Sequence, residues 1–211
     1  MKLVDLIFDT GCRLCKGAVG EGAVCEQCRK SLTDALSVRT RRFSVCGKNV
    51  EARYLFDYDN EAVKKLLFSL KRSGDKELFR FAARLYEMAV PQDFYGIVTC
   101  CPRRASSVRN YGFDQVAEPC KIMCKTNSPR LKFEKLLKRR GFTKEQKNLT
   151  EEQRKSNIRG KFRVTKKDIP KNILLVDDVV TTGNTVRECA SEIINSNPDV
   201  KISFVFLASR N

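Results

Sequence analysis

The chain has 211 residues, a formal net charge of +16, 42% hydrophobic residues, ten cysteines and no histidine. That length suits one substantial α/β domain with a small appendage. The absence of histidine excludes Ser-His-Asp triads, histidine general bases and histidine-containing metal sites, so any chemistry must use carboxylates, Lys or Arg, Cys, Tyr, backbone N–H groups or a metal.

The opening residues, MKLVDLIFDT, lack a basic n-region and carry acids inside their apolar run, so they do not read as a signal peptide. No stretch approaches the 18 or so apolar residues of a membrane span, and a cytoplasmic location is expected. Residues 12–28 read CRLCKGAVGEGAVCEQC, two C-x2-C pairs separated by nine residues. Each pair can aim two thiolates at one point, so Cys12, Cys15, Cys25 and Cys28 are expected to form a closed, structural zinc site. Without a secretory signal, the ten cysteines do not imply a disulfide framework. Residues 1–48 are expected to form this small zinc-binding unit, which depends on its metal to fold. Cys46 has no close partner and reads as a small apolar residue. Cys100, Cys101, Cys120, Cys124 and Cys189 lie in apolar settings and read as core.

Residues 49–211 are expected to form the main domain. Val63, Leu66, Leu67 and Leu70 recur at helical spacing, with Gly74 beyond them. Leu78, Phe81, Ala82, Leu85 and Ala89 repeat the pattern up to Pro91. GIVTCC (96–101) reads as a buried strand cut off by Pro102, and RRASSVRNYGFDQ as a basic loop without periodicity. A helix is expected near 116–126, with Pro119 in its first turn. LLKRR (136–140) and KFRV (161–164) can be strands. Thr150 to Gln153 form a capping box opening a short helix. ILLVD (173–177) shows no alternation, as befits a parallel strand covered on both faces. A helix at 184–195 and a final strand, KISFVFLA, follow. The alternation of strands and helices gives an α/β class with a mainly parallel sheet flanked by helices.

Ligands in such sheets bind at the carboxyl ends of strands. Asp177 and Asp178 stand at one, and Thr181, Thr182, Gly183, Asn184 and Thr185 lead into a helix N-terminus. That terminus offers free N–H donors to a phosphate, while the carboxylates can accept from a sugar diol or hold Mg²⁺. A ribose 5-phosphate meets these demands together. Residues 130–171 carry sixteen Lys or Arg against five Asp or Glu. This excess favours polyanions, and Phe133, Phe142 and Phe162 are interleaved with it. Single-stranded DNA is the expected partner, through Lys138, Arg139 and Arg140.

LLVDDVVTTGNTV resembles the phosphoribosyl-pyrophosphate (PRPP) motif of type I phosphoribosyltransferases. Together with the four-cysteine knuckle, FDYDNEAVKKLLFSLKRSGD, YGFDQ and KEQKNLTEEQRKSNIRGKF, the chain resembles the ComF family of competence-associated proteins over nearly its whole length. The family usually has Arg-Gly-Phe-Asn-Gln where this chain has Tyr111 to Gln115. The resemblance implies a type I phosphoribosyltransferase-like fold. Asp177 and Asp178 would bind the ribose hydroxyls and carry any catalysis, and residues 181–185 would cradle the 5-phosphate. Cys101, Pro102, Arg103 and Arg104 would lie against pyrophosphate, and Arg109 to Gln115 would be a mobile loop over the site. It further implies a role in natural transformation, with competence-machinery partners such as a helicase or a recombination mediator. An active transferase with an unnamed acceptor and a non-catalytic PRPP sensor are the alternatives.

Overall fold

The computed structural model describes residues 11–140 and 160–210. Six strands form one sheet: β1 (Arg39–Val45), β2 (Lys48–Asp57), β3 (Gly96–Cys100), β4 (Leu131–Phe133), β7 (Asn172–Val180) and β8 (Lys201–Ser209). Their spatial order is β1-β2-β8-β7-β3-β4. β1 and β2 pair antiparallel, and all the other neighbours pair parallel. β5 (Leu137–Arg139) and β6 (Phe162–Val164) form a separate antiparallel ribbon.

The helices are α1 (Glu26–Ala35), α2 (Glu61–Arg72), α3 (Lys76–Ala89), α4 (Ala105–Tyr111), α5 (Ala117–Thr126) and α6 (Asn184–Ser196). Asn60 accepts from the N–H groups of Ala62 and Val63 to cap α2, and Asp75 accepts from Leu78 N–H to cap α3. Each cap satisfies donors that the first helical turn would otherwise leave unpaired.

The sheet divides the core in two. α2, α3 and α5 pack on one face with Val98, Leu174, Val176 and Val205. α6 and the β5–β6 ribbon pack on the other with Ile173, Leu175, Phe204 and Phe206. Successive residues of β7 therefore enter opposite cores, which is why that strand shows no hydrophobic alternation. Full burial of each such side chain is worth about 1.5–3 kcal/mol, so both layers are needed to hold the strand.

Four features differ from the sequence expectations or add to them. β1 and β2 were not anticipated, because Arg39, Arg41 and Arg42 obscure the apolar alternation of Phe43 and Val45. The boundary expected at residue 48 falls inside this hairpin, so β1 belongs to the large sheet. Cys46 forms the hairpin turn with Gly47, both at positive φ (50° and 76°), and is exposed. The segment read as a basic loop contains α4, which buries no residue and so had no apolar period to reveal it. The capping box at 150–153 and Phe142 lie outside the described residues.

The cysteine knuckle docks on α2 and α3. Arg13 spans Asp75 with Nε at 2.9 Å and a second nitrogen at 2.8 Å. Ser69 Oγ donates to the Arg13 carbonyl at 2.6 Å. Burial opposes ionisation of Asp75, but the Leu78 N–H and then Arg13 outweigh it and hold the carboxyl below its usual range.

Candidate functional site

β3 pairs with β7 only as far as Cys100 beside Val176. Pro102 then turns the chain away, while β7 continues to Val180. The next residues of β7 are Asp177 and Asp178, left without a strand on that side. Beyond β3 and the short, unburied α4, α5 lies on one face of the sheet, and the helix after β7, α6, lies on the other. This divergence opens a crevice at the carboxyl ends of two adjacent parallel strands, where α/β sheets bind ligands.

A cavity of 390 Å³ fills the crevice, lined by Lys71, Cys101, Pro102, Arg103, Arg104, Ser107, Arg139, Asp177, Asp178 and Thr185. A smaller concavity of 70 Å³ adjoins it, formed by the loop from Thr181 to Val186 and sharing Asp177 and Thr185. The expected acid pair, the expected hydroxyl loop and Arg103 and Arg104 therefore converge on one place.

The loop is shaped by Gly183, at φ +76°. A Cβ there would lie 2.4 Å from the ring of Phe43, which is fully buried. Both the backbone conformation and the close approach therefore require glycine. Arg187 donates to the Thr182 carbonyl at 2.6 Å and stacks 5.0 Å from the centre of the Phe43 ring, holding the loop from behind. The N-cap of α6 is Gly183, which has no side chain to cap it, and no side chain among the described residues does so. Its first N–H groups are thus available, and with the positive end of the helix dipole they suit an anion.

The two carboxylates differ. Asp178 Oδ2 accepts from Gln115 Nε2 at 2.6 Å and from Arg103 at 3.3 Å, and its Oδ1 accepts from Val179 N–H at 2.8 Å. Asp177 Oδ1 accepts from Asp178 N–H at 3.0 Å. Burial, then the adjacent Asp178 carboxylate, push Asp177 up to about 8 against the opposing pull of that N–H and Arg103. Such a pair can accept from a vicinal diol or hold a hard dication, which would draw the proton off Asp177.

The three residues assigned to nucleic acid part company. β5 and β6 pair Leu137 with Val164, Lys138 with Arg163 and Arg139 with Phe162. Alternation turns Leu137 and Arg139 inward, so Arg139 stacks 5.1 Å from the centre of the Phe162 ring and lines the cavity. Its Nε is, among the described residues, the one buried side-chain nitrogen or oxygen without a hydrogen-bond partner. Burial, then the Arg104 guanidinium, push Arg139 below its usual range. Lys138 and Arg163 are exposed on the outer face. Arg140 is also exposed, reaching Glu192 at 3.9 Å. Arg139 thus lines the cavity, a placement that the two-residue period of a ribbon could have supplied had the pairing been known. Lys71, at the end of α2, was missed because helical periodicity locates a buried face and not where the last turn points. Arg109 to Gln115 do not lie over the cavity as a loop. Arg109 and Tyr111 are in α4, and Gln115 is buried against Asp178.

The four knuckle cysteines have their sulfurs within 4.8 Å of one another. Cys15 and Cys25 sulfurs are 3.7 Å apart. That is far beyond a disulfide of about 2.05 Å and matches the edge of a tetrahedral thiolate–metal site. Lys16 adopts φ 67° after the first pair, and Cys25 stands at the N-cap of α1. Burial opposes ionisation of Cys12, but N–H bonds led by that of Cys25 prevail and lower it to about 6. The cluster can hold a metal ion with no open coordination position.

Compared with protein-family models and with curated proteins, the chain matches none.

Asp177 gives the site a pH signature. Its folded value lies above the ordinary 3.8, so the folded state keeps a proton that the unfolded chain releases. Its contribution to stability therefore falls as pH rises from 3.8 toward about 8 and is constant above that. Asp177→Asn removes this loss. Urea unfolding should show the variant gaining on the parent from pH 5 to pH 8, whereas a pH-independent difference would show that Asp177 titrates normally.

Proposed function

We propose that this protein is a ComF-like, type I phosphoribosyltransferase-related protein that binds PRPP with Mg²⁺ and acts in the cytoplasm in the uptake of transforming DNA. One observation carries the PRPP reading: an uncapped helix N-terminus and glycine-shaped loop, an acid pair and a group of cations share one connected cavity. The 5-phosphate would sit on residues 181–185 and the ribose hydroxyls on Asp177 and Asp178. Lys71, Arg103, Arg104 and Arg139 would face the pyrophosphate. Mg²⁺ would neutralise the polyphosphate beside the acids, which remain available to it as oxygen ligands.

Those same cations stand where charge would grow on a departing pyrophosphate, which favours a catalytic reading as the alternative. Pyrophosphate release on adding an acceptor distinguishes it from a non-catalytic binder or sensor. The knuckle is proposed to hold zinc, since four thiolates at this spacing suit tetrahedral zinc. Its close docking on α3 through Arg13 supports a structural role. Single-stranded DNA is proposed to lie on the outer face of the ribbon, where Lys138 and Arg163 oppose each other with no ion-paired acid among the described residues, and with Arg140 beside them. Like charges directly opposite destabilise a strand pair, so their pairing here suits an anionic partner.

Titration calorimetry tests the PRPP site. Asp177→Asn combined with Asp178→Asn should weaken Mg²⁺–PRPP binding at least about tenfold, because hydrogen bonds to charged groups are each worth about 1.5–3 kcal/mol. Unchanged affinity would remove the acids from the site. Metal analysis of Cys25→Ser should show most of one bound zinc lost, and full retention would exclude this ligand set. For DNA, affinity for a single strand should fall as salt rises, with a log–log slope of about −0.7 per phosphate contacted. Reversing Lys138 and Arg163 to Glu should weaken binding and flatten that slope. Binding equal to the parent would leave these charges a solubilising role.

A further inference from the structure

Gln115 is 3% exposed, a buried polar side chain beside the candidate site but not lining its cavity. Its amide donates to Asp178 Oδ2 at 2.6 Å, the same oxygen that accepts from Arg103 at 3.3 Å. A neutral amide can donate to a carboxylate without adding charge to a cavity that already holds four cations. It fixes the direction of the acid while Arg103 is left partly available to a ligand.

The residues before it make this contact rigid. Gly112 ends α4 at φ +76°, a left-handed conformation that reverses the chain. Phe113 then packs edge-on against Phe79 at 5.3 Å and lies under Gly74. Asp114 Oδ1 accepts from the N–H groups of Val116 and Ala117 at 3.0 and 3.1 Å, capping the start of α5. Val116 itself is fully buried in the core. One oxygen of the acid at position 114 is therefore engaged by the backbone. Each step leaves the next residue little freedom, and the last of them aims Gln115 at Asp178.

We propose that Gln115 is a positioning residue that holds Asp178 in the orientation needed to grip the sugar of a ribosyl phosphate, with Gly112 to Asp114 as its fixed brace. The proposal rests on the ribosyl-phosphate reading of the site. Gln115 touches no ligand itself. It sets the acid, and the acid sets how much the sugar adds to the affinity of the phosphate.

The test compares inorganic phosphate with ribose 5-phosphate, at constant Mg²⁺, in the parent and in Gln115→Met. Methionine keeps the length and volume of the side chain and removes the donor. In the parent the sugar should raise affinity at least about tenfold over phosphate alone, since it adds hydrogen bonds to charged groups. In Gln115→Met that gain should shrink to about threefold or less, while phosphate affinity stays within about twofold of the parent. Gln115→Asn retains a shorter amide and should keep more of the gain than Met does. It also serves as the readout if the methionine variant folds poorly.

A gain equal to the parent's in both variants would overturn the positioning role and leave the ribosyl-phosphate site standing. Equal losses for phosphate and ribose 5-phosphate would overturn it too, because they would show a general structural part for Gln115. A parent that binds ribose 5-phosphate no better than phosphate would refute the reading of the site itself, and the proposal with it.

Discussion

Two carboxylates at consecutive positions of a half-covered strand cannot both ionise cheaply, and the architecture around Asp177 and Asp178 answers that constraint. The solution is unequal. Asp178 receives a neutral amide, a guanidinium and a backbone N–H. Asp177 receives one backbone N–H and is pushed up to about 8. Asp177 thus holds its proton more firmly than a free carboxyl does, in a cavity also lined by Lys71, Arg103, Arg104 and Arg139. Among the described residues, Lys71, Arg104 and Arg139 form no ion pair of their own. Such an excess suits a ligand that brings several negative charges and a dication together.

The fold places this imbalance at the surface by a difference in strand length. β3 stops at Cys100 while β7 runs to Val180, and α5 and α6 lie on opposite faces of the sheet. The same β7 that buries Ile173 to Val176 in two cores then delivers the acids and the 181–185 loop without a break. Rigidity in the strand becomes precision in the site. Phe43, Arg41 and Arg187 extend this support to the other side: both guanidiniums stack on the ring that forbids a side chain at Gly183.

The legible parts of the sequence were those whose chemistry is local. The two C-x2-C pairs, the unalternating run at 173–177 and the small-residue turn after it each lie within about twenty residues of sequence; the four cysteines cluster, and the run is a strand buried on both faces. What depends on pairing was not legible. Arg39 to Val45 hides its strand under arginines, α4 has no buried face, and Arg139 looks like one of many basic residues until Phe162 is known to stand opposite it. Gln115 belonged to a segment expected to cover the site as a mobile loop. Its contact with Asp178 spans 63 positions of sequence and comes from tertiary packing of Phe113 and Val116, which no local pattern encodes.

The central claim is that one crevice holds a ribosyl phosphate by its phosphate and by its diol. A crystal structure of the protein grown with ribose 5-phosphate and Mg²⁺ tests it most directly. The account predicts the phosphate against the backbone of Thr181 to Thr185, with sugar hydroxyls on Asp177 and Asp178. Phosphate bound only among Lys71, Arg104 and Arg139, with the 181–185 loop empty and the acids untouched, would contradict it.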